Sequence, residues 1–270
     1  MSNERPLFES LRLRTGLYAF LLYGLMAGGL IVPVFVSAAD AEAVTSTDAA
    51  KAMEQVQRDG KYVCLLLYKE TNAKASSFQK AVDVLKQNKA DKVELVMADV
   101  LASTSESLLR KLRIDPERMP MPFLIVFAPN GVVTGAFETD PDEKKLADSI
   151  LSQQAIQCLK LLQDGKNVVL CIQGEFTKGK EQVIEAVNTF LADKAYKDTF
   201  DKVFIDPDKS ENKAFLEKLN VTMTADEAVT IVLTPQGRIA GTFKGTTTKD
   251  QLVKSLQACG SGCGGATGGG

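Results

Sequence analysis

Histidine and tryptophan are both missing from this 270-residue chain. Without histidine there is no Ser-His-Asp or Cys-His constellation, no histidine-ligated zinc, and no side chain that ordinarily titrates near neutral pH. An excess of one charge is missing too. The 32 basic residues face 34 acidic ones, a formal net charge of −2 with no long run of either sign. A nucleic-acid binder carries a basic stripe to neutralise phosphates, so no nucleic-acid partner is expected. P-loop and dinucleotide glycine motifs are absent. Acidic residues gather at Asp140, Asp142 and Glu143 and at Asp201, Asp206 and Asp208, but without calcium-loop spacing; they read as helix caps and solvated loops. What remains is ordinary globular composition, 45% hydrophobic and 24% charged, with room for two domains that each bury a core.

The chain opens on a polar stretch bearing Arg5, Arg12 and Arg14, followed by 21 uncharged residues from Gly16 to Val36, then Ser37-Ala38-Ala39. A basic flank, an apolar run and small residues before a polar start form an export signal, with cleavage fitting after Ala38. The run is also long enough to span a bilayer, so residues 1–38 are a signal peptide or a membrane anchor, with membrane contact through residues 16–36. Either way the rest is expected outside the cytoplasm, periplasmic or extracellular.

Beyond residue 45 the sequence repeats itself. Asp59-Gly60-Lys61 before YVCLLLY returns as Asp164-Gly165-Lys166 before NVVLCI, at an offset of 105. Ala128-Pro129-Asn130-Gly131 returns as Thr234-Pro235-Gln236-Gly237, and Gly135 and Phe137 as Gly241 and Phe243, at 106. Asp99, Leu109 and Leu112 return as Asp206, Leu216 and Leu219 at 107. A period near 106 is a domain length, which divides the chain into domains at 46–154 and 155–258 with a Gly/Cys tail at 259–270. The first copy reads helix 48–58, strand 61–68, helix 74–88, strand 93–99, helix 105–112, strands 123–128 and 132–137, and helix 142–153. The second reads helix 153–163, strand 167–172, helix 178–192, strand 202–206, helix 211–219, strands 229–233 and 238–243, and helix 248–258. The strands are apolar at successive positions, as strands covered on both faces are. The fold class is α/β, a mixed sheet flanked by helices in each copy.

This order, with Pro122-Phe123-Leu124-Ile125-Val126-Phe127 followed by Pro129-Asn130-Gly131, resembles the thioredoxin superfamily over residues 46–258 in two copies. The resemblance implies a cis bond before Pro122, with a trans proline opening a strand as the alternative. It also implies a partner-binding edge at Met121 and Pro122. The redox Cys-x-x-Cys of active members sits where the first core strand meets the next helix. Here that junction reads Tyr68-Lys69-Glu70-Thr71-Asn72-Ala73 in one copy and Gln173-Gly174-Glu175-Phe176-Thr177-Lys178 in the other, with no cysteine in either. Ala228 stands in the second copy where Pro122 stands in the first.

Of the five cysteines, Cys64, Cys158 and Cys171 fall among apolar neighbours and read as small buried hydrophobes. Cys259 and Cys263 open the glycine-rich tail. Three readings of that pair stay open: a local disulfide or idle thiols, a redox-active or partner-linking pair, and capture of a soft metal such as Cu(I) or Zn. Two thiolates are too few to close a zinc site, so a partner would have to complete it. The leading expectation is a non-catalytic binding or scaffold protein with a protein partner. The alternatives are thiol-disulfide transfer or metal delivery through Cys259 and Cys263, and a membrane-anchored accessory subunit.

Overall fold

In a computed structural model, residues 48–89, 91–221 and 226–258 are described. The apolar run of residues 16–36 and the pair Cys259 and Cys263 lie outside them. Among the described residues no helix is long and apolar enough to cross a membrane. The described chain divides into two compact units, one of residues 48–131 and 136–146, the other of 132–135 and 147–258.

The first sheet is built from β1 (Tyr62–Tyr68), β2 (Val93–Asp99), β3 (Phe123–Phe127) and β4 (Val133–Phe137), in the order β2-β1-β3-β4. β1 is parallel to β2, Tyr62 opposite Val93 through Tyr68 opposite Asp99. It is antiparallel to β3, Val63 opposite Phe127 through Leu67 opposite Phe123. A central strand covered on both faces must be apolar at every position, and Tyr62 to Leu67 are all buried. The helices are α1 (Ala49–Arg58), α2 (Ala73–Lys89), α3 (Glu106–Leu112) and α4 (Glu143–Ala147). α2 buries Ala75, Phe78, Val82 and Leu85, the three-and-four spacing of one helical stripe. Asp48 caps α1 by accepting from the Lys51 N–H at 3.3 Å, and Asp142 accepts from the Lys145 N–H at 2.7 Å.

The second sheet repeats that plan. It holds β5 (Asn167–Ile172), β6 (Phe200–Ile205), β7 (Val229–Leu233) and β8 (Ile239–Lys244), ordered β6-β5-β7-β8, with β5 parallel to β6 and antiparallel to β7. Its helices are α5 (Gln153–Gln163), α6 (Lys180–Ala192), α7 (Lys213–Lys218) and α8 (Lys249–Ala258). Val169, Cys171, Val183, Val187, Phe190 and Leu252 close around one core. Phe190 stacks on Tyr196 at 4.5 Å and meets Phe200 edge-on at 5.1 Å. In both units the chain leaves a helix for the central strand through a left-handed glycine, Gly60 at φ 75° and Gly165 at φ 82°. Side chains rarely adopt that geometry.

One expected element is corrected. The helix read across 142–153 breaks after Ala147. The Ile150 N–H returns to the Ala147 carbonyl at 3.0 Å, and Ser152, in extended conformation, starts α5 by accepting from the Ala155 N–H at 3.1 Å. A serine hydroxyl placed to cap the next helix competes with continuing the previous one. Two further helices are shortened, because 3-10 turns at Ser103–Ser105 and Ser210–Asn212 take up their first residues.

Phe78→Ala is expected to lower the unfolding free energy by about 3–5 kcal/mol, since a fully buried ring leaves a cavity. Val84→Ala on the exposed side of the same helix should change it by roughly 0.5 kcal/mol or less. Chemical denaturation of both variants checks the pair.

Candidate functional site

The junction of β1 with α2 is four residues long, 69–72. Asn72 ends it as a helix cap: its Oδ1 accepts from the N–H groups of Lys74 at 3.1 Å and Ala75 at 3.0 Å. Those are the donors that a thiolate or other anion at a helix start would use, and here a neutral amide holds them. Continuing the β1–β3 register puts Pro122 opposite Tyr68 and Met121 opposite Lys69. The Met121–Pro122 peptide bond is cis, Pro122 is buried and Met121 half-buried. Lys69 reaches Glu117 at 3.1 Å across this end of the sheet. Glu117 is 78% exposed, so the pair contributes about 0–1 kcal/mol. Among the described residues no main-chain hydrogen bond joins 69–74 to 120–122. The main chain at Met121 is therefore an unpaired edge beside a thiol-free junction. Nearby in sequence, Val100, Leu101, Ile114 and Pro116 line a hollow of about 460 Å³, and the Glu106–Arg110 pair, 2.9 Å apart, lines it too.

The corresponding junction of β5 with α6 takes seven residues, 173–179. It folds back as a turn in which the Gly174 N–H donates to Thr177 Oγ1 at 2.8 Å. The Lys178 N–H donates to the Asp226 carbonyl at 3.0 Å, and Lys178 forms an isolated parallel bridge with Glu227. Asp208 lies close over Gly174, so a Cβ there would meet its Oδ2 at 2.5 Å and the exposed Asp208 side chain would have to move aside. Gly179 turns the chain into α6 at φ 76°. Phe176, at the tip, is 85% exposed. Ala228, opposite Gln173 when the β5–β7 register is continued, is fully buried. The sequence reading noted Ala228 in place of proline but not this pairing. No sequence signal marked it, because the stretch between strand and helix reads as five residues in both copies, 69–73 and 173–177; the second is longer because α6 starts at Lys180 and not at 178.

The cysteines among the described residues are as expected from their apolar neighbours. Cys64, Cys158 and Cys171 are free and buried. Burial pushes each thiol up to about 12, which the Lys86 charge near Cys64 and the Lys202 charge near Cys171 offset only slightly. None of the three is a nucleophile near neutral pH. Among the described residues no group of three or more Cys, Asp or Glu side chains is arranged to hold a metal ion.

No family model matches the chain, and no curated relative does. Solved structures show weak likeness. The zinc-bound form of human ERp44 is 15% identical, with a TM-score of 0.32 over 78% of this chain and 55% of ERp44. The N-terminal domain of alkylhydroperoxide reductase AhpF from Enterococcus faecalis is 13% identical, with a TM-score of 0.28 over 76% and 98%. The first two thioredoxin domains of Saccharomyces cerevisiae Eps1p are 13% identical, with a TM-score of 0.28 over 77% and 95%. Likeness at this level leaves the fold to be read from strand order and register.

The buried thiols set two expectations. In the native state Cys64, Cys158 and Cys171 should resist alkylation, and all three should label on unfolding; peptide mass mapping reads this. An unfolded-chain thiol ionises near 9 while the folded ones hold their protons to about 12. Their contribution to stability is therefore fully present below pH 9 and is lost as pH rises from 9 toward 12. Denaturation midpoints measured across that window should fall, and a Cys64→Val, Cys158→Ala, Cys171→Val chain should fall less.

Proposed function

We propose that this chain is an exported, non-catalytic binding protein made of two tandem thioredoxin-like domains, 46–154 and 155–258. Residues 1–38 direct it out of the cytoplasm or hold it at a membrane. The observation that carries the reading is the pairing of an unpaired edge at the cis Met121–Pro122 bond with junctions that hold no thiol. A dithiol exchange needs a thiolate at the helix start, and neither copy has one. An extended protein segment needs only a free main-chain edge with side-chain hollows beside it. Duplication is supported by the shared strand order and by backbone geometry that recurs at matched positions. Left-handed Arg113 ends α3 at φ 53° as Asn220 follows α7 at φ 51°, and Gly131 at φ 81° is matched by Gly237 at φ 71°.

A second reading rests on the sequence, in which Cys259 and Cys263 stand four apart in a glycine-rich stretch. In it, Cys259 and Cys263 exchange thiols with a partner or deliver Cu(I) or Zn, and the folded units carry them.

A photo-crosslinking side chain placed at residue 121 in cells should capture an extended polypeptide partner, and one at exposed Lys80 should not. The adduct at 121 should persist in a Cys259→Ser, Cys263→Ser chain. Absence of any adduct at 121 sinks the receptor reading. Loss of the adduct in the double serine chain moves the function to the tail.

A further inference from the structure

The two junctions differ in length, and the extra residues have a place to go. Residues 69–72 lead from β1 into α2 through a bend at Lys69 and Glu70, and Asn72 caps the helix. Residues 173–179 instead pass along the start of β7, where Lys178 bonds to Asp226 and bridges Glu227. Position 227 is the counterpart of Met121, one residue before Ala228 as Met121 is one before Pro122. The edge that stands unpaired in the first unit is thus taken by the chain itself in the second.

The residue types agree with this difference. Proline has no N–H, so the main chain at Pro122 offers no donor for a bridge on that edge. Alanine restores a donor at 228, at a fully buried position where an N–H needs a partner. Gly174 permits the close approach to Asp208, and Gly179 the left-handed turn out of the bridge. Thr177, nearly buried, closes the turn through its hydroxyl. Phe176 and Glu175 point no side chain into the core; both are exposed. The Lys178–Asp226 ion pair, 3.5 Å apart, joins two side chains that are 80% and 70% exposed. Main-chain bonds, the Thr177 hydroxyl and the Lys180 ammonium, which donates to the Glu175 carbonyl at 2.9 Å, therefore hold the segment down, not hydrophobic burial.

We propose that the second unit is a self-occupied copy of the receptor site: residues 173–179 lie on the main chain of 226–228 as a built-in ligand, and Met121–Pro122 is left as the open edge. This rests on the receptor reading of the first unit. It assigns the two copies different work, one to bind an extended segment and one to stay closed. It also makes the closed copy openable, since its occupant is tethered rather than buried.

Hydrogen exchange on the full chain tests it, with reduced, carboxymethylated α-lactalbumin as a permanently unfolded probe. In the wild type the Lys178 amide should be protected and the Met121 amide should exchange freely. Added probe should protect 121–123 and leave 226–228 unchanged. Ala228→Pro removes the amide at 228, and Thr177→Val removes the hydroxyl that closes the turn. Each should speed exchange at Lys178 at least tenfold and create a second probe footprint at 226–228. Thr177→Val keeps the test open if proline at 228 prevents folding. A Lys178 amide that exchanges freely in the wild type, or a probe footprint at 226–228 equal to that at 121–123, overturns the proposal. A probe that protects neither edge while Lys178 stays protected supports the self-pairing and overturns the receptor reading alone.

Discussion

Each unit depends on one central strand that is bonded on both sides and covered on both faces. β1 is held between β2 and β3, and β5 between β6 and β7. Water reaches neither strand, so every side chain there must be apolar or carry its own satisfied partner. Runs such as VCLLL and VVLCI meet that demand. The same demand explains the thiols. A cysteine in such a strand is a small hydrophobe, and the medium that accepts its neutral form rejects the thiolate. Reactivity is thereby pushed off the strands and onto their ends, where main chain emerges and loops begin.

At those ends the two units diverge while their frames do not. Strand order and the positions of the left-handed residues recur. The junction after the central strand does not: one is short and capped by an amide, the other is longer and folded back on the edge of β7. Loops between fixed elements change length at little thermodynamic cost, because closure entropy grows slowly with length. A duplicated frame can therefore keep its core and alter its ends. The replacement of proline by alanine at 228 is the backbone half of that alteration, and the longer junction is the other half.

Much of this was legible residue by residue. Val93–Asp99, Asn167–Ile172, Val229–Leu233 and Gln153–Gln163 lie where apolar pattern and turn signals put them, since each is a run bounded by glycine, polar turns or a cap. Asp48 and Asp142 cap helices because a carboxylate fits the free N–H groups of a first turn. The break at Ala147 was not legible. Leu146, Ile150 and Leu151 keep an apolar spacing that suits one helix, and only the competing cap at Ser152 divides it. Nor was the path of 173–179, whose polar and glycine-rich composition suits any surface loop.

What the sequence by itself determined is the set of local choices: which runs must be buried, where helices can start, that no thiol stands at either junction, and that proline is present in one copy and alanine in the other. Those follow from side-chain chemistry and short-range geometry, which a linear pattern records. The tertiary structure decided what lies beside what. Met121 stands unpaired, and Lys178 meets Glu227 across nearly fifty residues of chain, because a main-chain hydrogen bond is chosen by position and direction and leaves no mark of its partner in the identity of either residue.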